Sequence, residues 1–140
     1  MIRAVLDTNV WSSAIVRHKA AHQILLRAEA NEYAPVLSYS ILHELVRVLR
    51  SYFRLPDDVT YGWWLRLVWL CEVIQTRSLL NVVERDPDDN KFIECALDGH
   101  CDYIVSQDLD LLALGSYAGI QIVKVGRFLS LLEAVGTPVE

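Results

Sequence analysis

The sequence has 140 residues, of which 53% are hydrophobic, and its formal net charge at pH 7 is −5. This length and hydrophobicity predict a single globular domain over residues 1–140 and exclude a disordered chain. No stretch approaches the roughly 18 uncharged apolar residues that a membrane span needs, so no membrane segment is expected. Asp7 and Asn9 lie where an export signal would be apolar, which predicts a cytoplasmic protein.

The charge is unevenly distributed along the chain. Residues 1–54 carry seven Lys and Arg against four Asp and Glu, whereas residues 55–140 carry six against fourteen. The acidic total argues against a nucleic-acid partner, because phosphate binders are usually basic. An acidic half is either a solvated surface or a place where cations bind, and the total charge does not distinguish the two. The three cysteines lack paired spacing, which predicts reduced, buried thiols rather than disulfides or a zinc site.

The predicted elements alternate between strands and helices. In chain order they are a strand over 2–7, a helix from Val10 or Trp11, a helix over 20–31, a strand over 33–38, a helix over 40–53 capped by Ser38 or Ser40, a tryptophan-containing helix after 54–58, a strand over 71–75, a helix over 88–100 ending near Gly99, a strand over 102–108, a strand over 120–125 and a helix over 126–135. Alternation of this kind predicts a parallel sheet with helices on both faces.

Two of the predicted strands end in an acid. The first ends at Asp7, in "AVLDTNVW", and the strand over 102–108 ends at Asp108. In parallel sheets, ligands bind beyond the carboxyl ends of the strands where the strand order reverses, so the two acids could share one site. The simpler interpretation is that each acid caps the helix that follows it, with Thr8 and Asn9 assisting at the first.

Glu44 lies inside the amphipathic helix over 40–53. On a helical projection it falls at the seam between the apolar face and a stripe of three arginines, Arg47, Arg50 and Arg54. This position favours an acid that points into a cleft bordered by arginines. The alternative is an ordinary ion pair with Arg47, three residues further on, on a solvated surface.

The tryptophan-containing helix is apolar almost all round. Trp63, Trp64 and Trp69 point in different directions, so the helix is either buried or partly covered by a partner. His18 and His22 have the spacing of a metal-binding pair. Without a third ligand they are interpreted as surface histidines.

The run "ERDPDD" at 84–89 is the most acidic segment of the chain, and Asn90 follows it. Acids at a helix N-terminus are favoured by the helix dipole, which explains one or two of them. The segment has four acids and only Arg85 to offset them, so the acids repel one another more strongly than helix capping alone would explain. Carboxylates held close together are tolerated when a cation lies among them, and Mg²⁺ prefers oxygen ligands. Such a cluster can activate a water and neutralise a phosphoryl transition state.

Together, "LDTN", "SILHEL", "DPDDNKFIECAL" and "DYIVSQDLDLL" resemble the PIN-domain nucleases. The resemblance is strongest to the bacterial and archaeal branch that supplies the toxins of toxin–antitoxin pairs, such as VapC. It runs from residue 2 to about residue 128 in the family's order and spacing. It implies a three-layer α/β/α sandwich around a parallel sheet. It also implies a ribonuclease that uses Mg²⁺ or Mn²⁺, with one or two ions, and leaves a 5′-phosphate and a 3′-hydroxyl.

The resemblance also implies roles for individual residues. The catalytic acids and metal ligands of the family fall on Asp7, Glu44, Asp89 and Asp108. Supporting positions fall on Thr8, Asn9, Ser106 and Asp110, with Asp86 and Asp88 of second rank. Ser106 and Gln107 stand where Thr and Gly are commoner in the family. The arginines Arg47, Arg50 and Arg54 would contact the RNA backbone.

The implied partners are an RNA substrate, a cognate antitoxin and a second copy of the chain, with the tryptophan-containing helix covered by one of the two proteins. Stacking of RNA bases on a tryptophan is a weaker alternative for that helix. The main rival function is an RNA-binding or scaffold PIN domain with negligible turnover. Two other protein classes fit the sequence less well. A phosphatase of the haloacid dehalogenase type needs a second Asp at the position of Asn9. A response-regulator receiver needs a late lysine after its own strand, and Lys124 is poorly placed for that role.

Overall fold

The structure is a computed structural model and describes residues 1–84 and 86–136. The strands are β1 (Arg3–Leu6), β2 (Ala34–Ser38), β3 (Glu72–Ile74), β4 (Tyr103–Val105), β5 (Ser116–Tyr117) and β6 (Ile120–Val123). The helices are α1 (Thr8–Ile15), α2 (Lys19–Glu29), α3 (Tyr39–Ser51), α4 (Asp57–Leu70), α5 (Asn90–Asp98), α6 (Leu109–Leu114) and α7 (Val125–Gly136). A 3₁₀ turn, Pro87–Asp89, leads directly into α5.

The strands form one sheet in the order β3-β2-β1-β4-β6-β5. All neighbouring pairs are parallel except β5 and β6, which are antiparallel. The predicted α/β fold with a central parallel sheet is therefore confirmed, with β5 as an addition. That strand has two residues, too few for a hydrophobic period, and a tight turn with positive φ at Ala118 and Gly119 joins it to β6.

The strand order reverses between β1 and β4. The chain passes from β1 to β2 and β3 in one direction and then returns to place β4 on the other side of β1. Right-handed crossovers put α1 to α4 on one face and α5 on the other. The helix contacts agree, because α1 packs on α2 and α3 while α5 lies against β1, β2 and β4. The backbone N–H of Asp7 donates to the carbonyl of Val105 at 3.0 Å, so the ends of β1 and β4 lie side by side.

The core is apolar on both faces of the central strands, as expected of a parallel sheet. Ala4, Val5 and Leu6 are all buried, and Tyr33 packs edge-on against Phe128 with 5.0 Å between ring centroids. The three cysteines are buried and free, and burial raises the pKa of each thiol to about 12. In the described part of the chain, no helix combines the length and hydrophobicity required to cross a bilayer.

Several element boundaries differ from the predictions. Helix α1 begins at Thr8 because Asp7 caps it, two residues before the predicted start. Ser38, rather than Ser40, caps α3 by accepting a hydrogen bond from Ile41. Helix α3 ends at Ser51, two residues before the predicted end. Arg54 lies beyond the helix with a positive φ of 53°, so only Arg47 and Arg50 of the predicted arginine stripe are helical.

Candidate active site

Asp7 ends the central strand at the reversal of strand order. Its Oδ1 accepts a hydrogen bond from the N–H of Val10 at 2.8 Å, so the capping interpretation of Asp7 is correct. Burial raises the pKa of Asp7 against the hydrogen bonds from Ser106 and Val10, and the charge of Asp108 raises it further. Capping does not exclude a second role, because a carboxylate offers about four lone-pair sites.

The hydroxyl of Ser106 joins the two strand-ending acids. It donates to Oδ2 of Asp7 and accepts from the N–H of Asp108 at 2.9 Å, and the side chain is fully buried. Asp108 in turn caps α6 by accepting from the N–H of Asp110 at 2.8 Å. The small polar side chain at position 106 therefore fixes Asp7 relative to Asp108.

Two further carboxylates converge on Asp108. One oxygen from each of Asp86, Asp89 and Asp108 lies within 4.8 Å of the others. The structure thus brings together two of the four principal predicted acids and adds Asp86, which the sequence placed in second rank. Asp7 is close enough for its charge to raise the pKa of Asp89.

Asp89 is the most unusual acid of this group. Burial raises its pKa to about 7, helped by the charges of Asp108, Asp86 and Asp7, whereas Lys91 acts in the opposite direction. Among residues 1–84 and 86–136, its buried Oδ2 has no hydrogen-bond partner. A buried, unpartnered oxygen among like charges costs stability unless a cation is present. The residues therefore fit a divalent cation held by Asp86, Asp89 and Asp108, with Asp7 adjacent.

Glu44 has different partners from those that the sequence suggested. Thr8 donates a hydrogen bond to its Oε1, and Lys91 of α5 forms a hydrogen-bonded ion pair with its Oε2. The predicted pairing with Arg47 exists, but at 3.9 Å it is the looser contact. Burial alone would raise the pKa of Glu44, but the bonds from Lys91 and Thr8 outweigh it and lower that pKa. Glu44 is therefore a carboxylate whose two oxygens are both engaged by protein groups.

Lys91 was missed by the sequence interpretation. Its side chain is only 15% exposed and that of Glu44 only 20%, so the pair is largely shielded from water. The signal available in the sequence was a lone cation directly after "DPDDN", in the most acidic segment of the chain. Lysines seldom approach full burial unless they are paired, but sequence alone did not reveal that this one would be buried.

A second missed feature is the set of side chains that hold residues 77–83 against α5. Asp98 accepts hydrogen bonds from the N–H groups of Arg77 and Ser78, and Glu94 accepts from that of Leu80. Asn90 accepts from the N–H groups of Val82 and Val83 and donates to the carbonyl of Pro87. The three acceptors are spaced four residues apart, so they form one row on the helix. This row anchors the segment that leads to Asp86 and Asp89.

The remaining predicted residues lie around this centre. Asn9 and Asp88 are exposed, and Gln107 accepts a hydrogen bond from the N–H of Val125 through its side chain. His22 bonds the carbonyl of Ala14 through its ring, in keeping with a structural role. Arg85 lies outside the described residues.

Arg47, one of the three arginines predicted to contact RNA, lies beside Glu44. Arg47 and Arg50 lie one turn apart on α3 with largely exposed side chains. The Nε of Arg50 donates to Oδ1 of Asp57, the first residue of α4, at 3.1 Å. Arg54 is exposed in the loop between these helices.

Comparison with known proteins identifies the family. A model of the PIN domain matches residues 3–110, which is more than half of the chain. The chain belongs to the PIN-domain family. PIN domains are in general nucleases, and the matched region contains every acid of the candidate site. No curated protein sequence matches this PIN domain at a significant level.

Solved structures share its fold at low sequence identity. The crystal structure of PAE2754 from Pyrobaculum aerophilum is 18% identical with a TM-score of 0.59, and the match covers 95% of this chain and 90% of that chain. A chain of VapBC2 from Rickettsia felis, bound to a DNA fragment from its promoter, is 15% identical with a TM-score of 0.60. That match covers 88% of this PIN domain and 98% of the other chain.

Proposed function

We propose that this PIN domain is a metal-dependent ribonuclease that hydrolyses phosphodiester bonds of single-stranded RNA. The observation that carries the proposal is the convergence of Asp86, Asp89 and Asp108 around a buried, unpartnered oxygen of Asp89. Membership of a nuclease family supports the same reaction class.

The acids and Ser106 have distinct roles in this proposal. Asp86, Asp89 and Asp108, with Asp7, would hold one or two Mg²⁺ or Mn²⁺ ions. When bound, such ions activate a water and neutralise the charge that develops on the phosphoryl group. The hydroxyl of Ser106 keeps Asp7 and Asp108 in register.

Glu44 and Lys91 have a separate task in this proposal. Because both oxygens of Glu44 are engaged by Thr8 and Lys91, Glu44 would support the ions through these neighbours or through water rather than as a direct ligand. Lys91 places a fixed positive charge between Glu44 and the acids, where it can attract the substrate phosphate. Arg47 and Arg50 extend this positive charge along α3.

The proposal includes two protein partners. A toxin with a cognate antitoxin is supported by the fold it shares with a chain of VapBC2. A homodimer is supported by an apolar stripe on α4, formed by the exposed Leu65, Val68 and Trp69. Exposed side chains of this size, grouped on one helix face, are typical of surfaces that another protein covers.

The test is RNA cleavage by the purified full-length chain. Cleavage of single-stranded RNA in Mg²⁺ should be abolished by EDTA and restored by excess Mg²⁺. Asp108→Asn should reduce cleavage by roughly a hundredfold or more, as loss of an electrostatic contact to the transition state does. Asp58→Asn, an exposed acid of α4, is the matched control and should cleave normally. Cleavage that survives EDTA or Asp108→Asn would refute the proposal and favour a scaffold role.

A further inference from the structure

A groove between α3 and α4 begins beside Glu44. Two recesses lie along it, with volumes of about 470 and 250 Å³, and both are lined by Val46, Arg50 and Asp57. Because they share these residues, they form one continuous surface, which we call the α3–α4 groove. Its defining residues are Val46, Arg47, Arg50, Asp57, Tyr61 and Trp64.

The side of the groove formed by α3 is cationic. Arg47 lies 3.9 Å from Glu44, so this side reaches the rim of the candidate active site. Arg50 follows one helical turn later, and both guanidinium groups are largely exposed. The planar guanidinium fork matches the geometry of a phosphate group.

The side of the groove formed by α4 is aromatic. Tyr61 is 64% exposed, and Trp64 beside it is half-buried with its ring edge-on to His43 at 6.2 Å between centroids. Surfaces that bind single-stranded nucleic acid usually combine two elements. Positively charged side chains line the path of the phosphate backbone, and an exposed aromatic ring next to them stacks on a base. Bases in a duplex are already stacked and paired, so they cannot use such a ring.

We infer that the α3–α4 groove binds the RNA strand on one side of the cleavage position, with phosphates on Arg47 and Arg50 and an unpaired base on Tyr61. The inference rests on the proposed ribonuclease function and names how that site takes its substrate. The ion pair between Arg50 and Asp57 competes with this binding, because Asp57 occupies a guanidinium that the phosphate would contact.

The experiment measures binding without cleavage. The 140-residue chain in EDTA is titrated into a fluorescein-labelled single-stranded oligouridine. Thermal unfolding of each variant first establishes that it is folded. Tyr61→Ala should weaken binding roughly fivefold or more, the effect of losing one stacked base. Tyr52→Ala removes a ring that is 78% exposed and lies outside the groove, so the affinity of that variant should be unchanged.

The salt dependence of binding tests the arginines separately from the ring. Arg47→Ala or Arg50→Ala should each reduce the slope of log affinity against log salt concentration by about 0.7. Tyr61→Ala should leave that slope unchanged. Arg66→Ala is the control, because Arg66 is paired with Glu29 away from the groove.

Asp57 provides a variant that should gain affinity. Asp57→Asn releases Arg50 and should tighten binding, whereas Asp58→Asn changes the neighbouring charge of the same helix turn without touching Arg50. Equal effects of the two substitutions would count against a specific contact at Arg50.

The outcomes separate this inference from the proposed function. If Tyr61→Ala behaves as Tyr52→Ala does and neither arginine variant changes the salt slope, the inference is wrong, even when the wild-type chain cleaves RNA. A duplex of the same length that binds better than the single strand would also overturn it. If binding depends on the groove but no RNA is cleaved in Mg²⁺, the inference stands and the proposed function fails.

Discussion

Asp89 shows how burial and repulsion act together on a single carboxyl group. Its pKa of about 7 arises from burial first and then from three neighbouring acids. An unfolded aspartate has a pKa of about 3.9. Between these two values the folded chain keeps a proton that the unfolded chain has lost, so this group favours the folded state at lower pH.

The first prediction follows from that sign. Without divalent ions, the free energy of unfolding should fall as the pH rises from about 5 to 8, because the Asp89 contribution is lost as the pH passes the folded pKa. Glu44 has the opposite effect on stability, at lower pH. Because the fold lowers the pKa of Glu44, its contribution to the free energy of unfolding is lost only as the solution becomes acidic. Urea unfolding across this range measures the slope, and Asp89→Asn should flatten it. An unchanged slope in the variant would contradict the assignment.

Lys91 and Glu44 give a second prediction at the same scale. Lys91→Met should destabilise the fold by about 1–3 kcal/mol, because it leaves the shielded carboxylate of Glu44 without its main partner. Adding Glu44→Gln should recover part of the loss, which a double-mutant cycle measured by urea unfolding would show. The matched control is Arg66→Met, which breaks a more exposed pair and should cost less than about 1 kcal/mol. Equal losses in the two variants would argue that the Lys91 pair is not shielded in solution.

At the scale of elements, α5 organises the site more than any other helix. Its N-terminal end follows the turn that carries Asp89, and its row of Asn90, Glu94 and Asp98 holds residues 77–83. The hydrogen bonds from Ser78 and Arg77 lower the pKa of Asp98, which favours the charged form of that carboxyl group. The acids of the centre are therefore positioned by a segment that has almost no regular secondary structure of its own.

The third prediction concerns this anchoring. Asn90→Ala should cost about 1–3 kcal/mol, because it leaves the N–H groups of Val82 and Val83 without acceptors. Hydrogen exchange should accelerate at these two amides, and the affinity for Mn²⁺ should fall as Asp86 and Asp89 lose their support. Asn81→Ala alters an exposed residue of the same segment and serves as the control. Unchanged exchange at Val82 and Val83 would show that Asn90 does not hold them.

At the scale of the whole molecule, the sequence predicted the parallel sheet and ranked two of the three clustered acids, Asp89 and Asp108, among the principal ones. The end of β1 could be predicted because a buried strand that stops at an acid gives a clear pattern, whereas β4 ends at Val105, three residues before Asp108. Gly99 was likewise identified as a helix stop: a Cβ there would lie 2.8 Å from the carbonyl oxygen of Cys95.

Other features could not be predicted, for physical reasons. The partner of Glu44 depends on how α3 and α5 pack across the sheet edge, and no local pattern records the distance between two helices. Asp86 joins the acids because a 3₁₀ turn redirects the chain, and "DPDD" does not specify which acids face inward. Strand β5 exists only through its pairing with β6.

The fourth prediction concerns the self-association of the chain. If the apolar stripe of α4 forms a homodimer, sedimentation should show a concentration-dependent dimer that Trp69→Lys converts to monomer, because a charge cannot be buried there without a partner. Leu79→Lys introduces the same charge at another exposed apolar residue and should leave the dimer intact. A monomer at all concentrations would contradict the homodimer.

The pairing of β1 with β4 has a consequence for the order in which this protein is made. Asp7 leaves the ribosome about a hundred residues before Asp108 and the hydroxyl that aligns the two acids. Until the fourth strand has emerged and docked beside the first, the nascent chain has only part of its acidic centre. If the chain is the proposed ribonuclease, a chain truncated ahead of β4 should therefore leave RNA uncleaved.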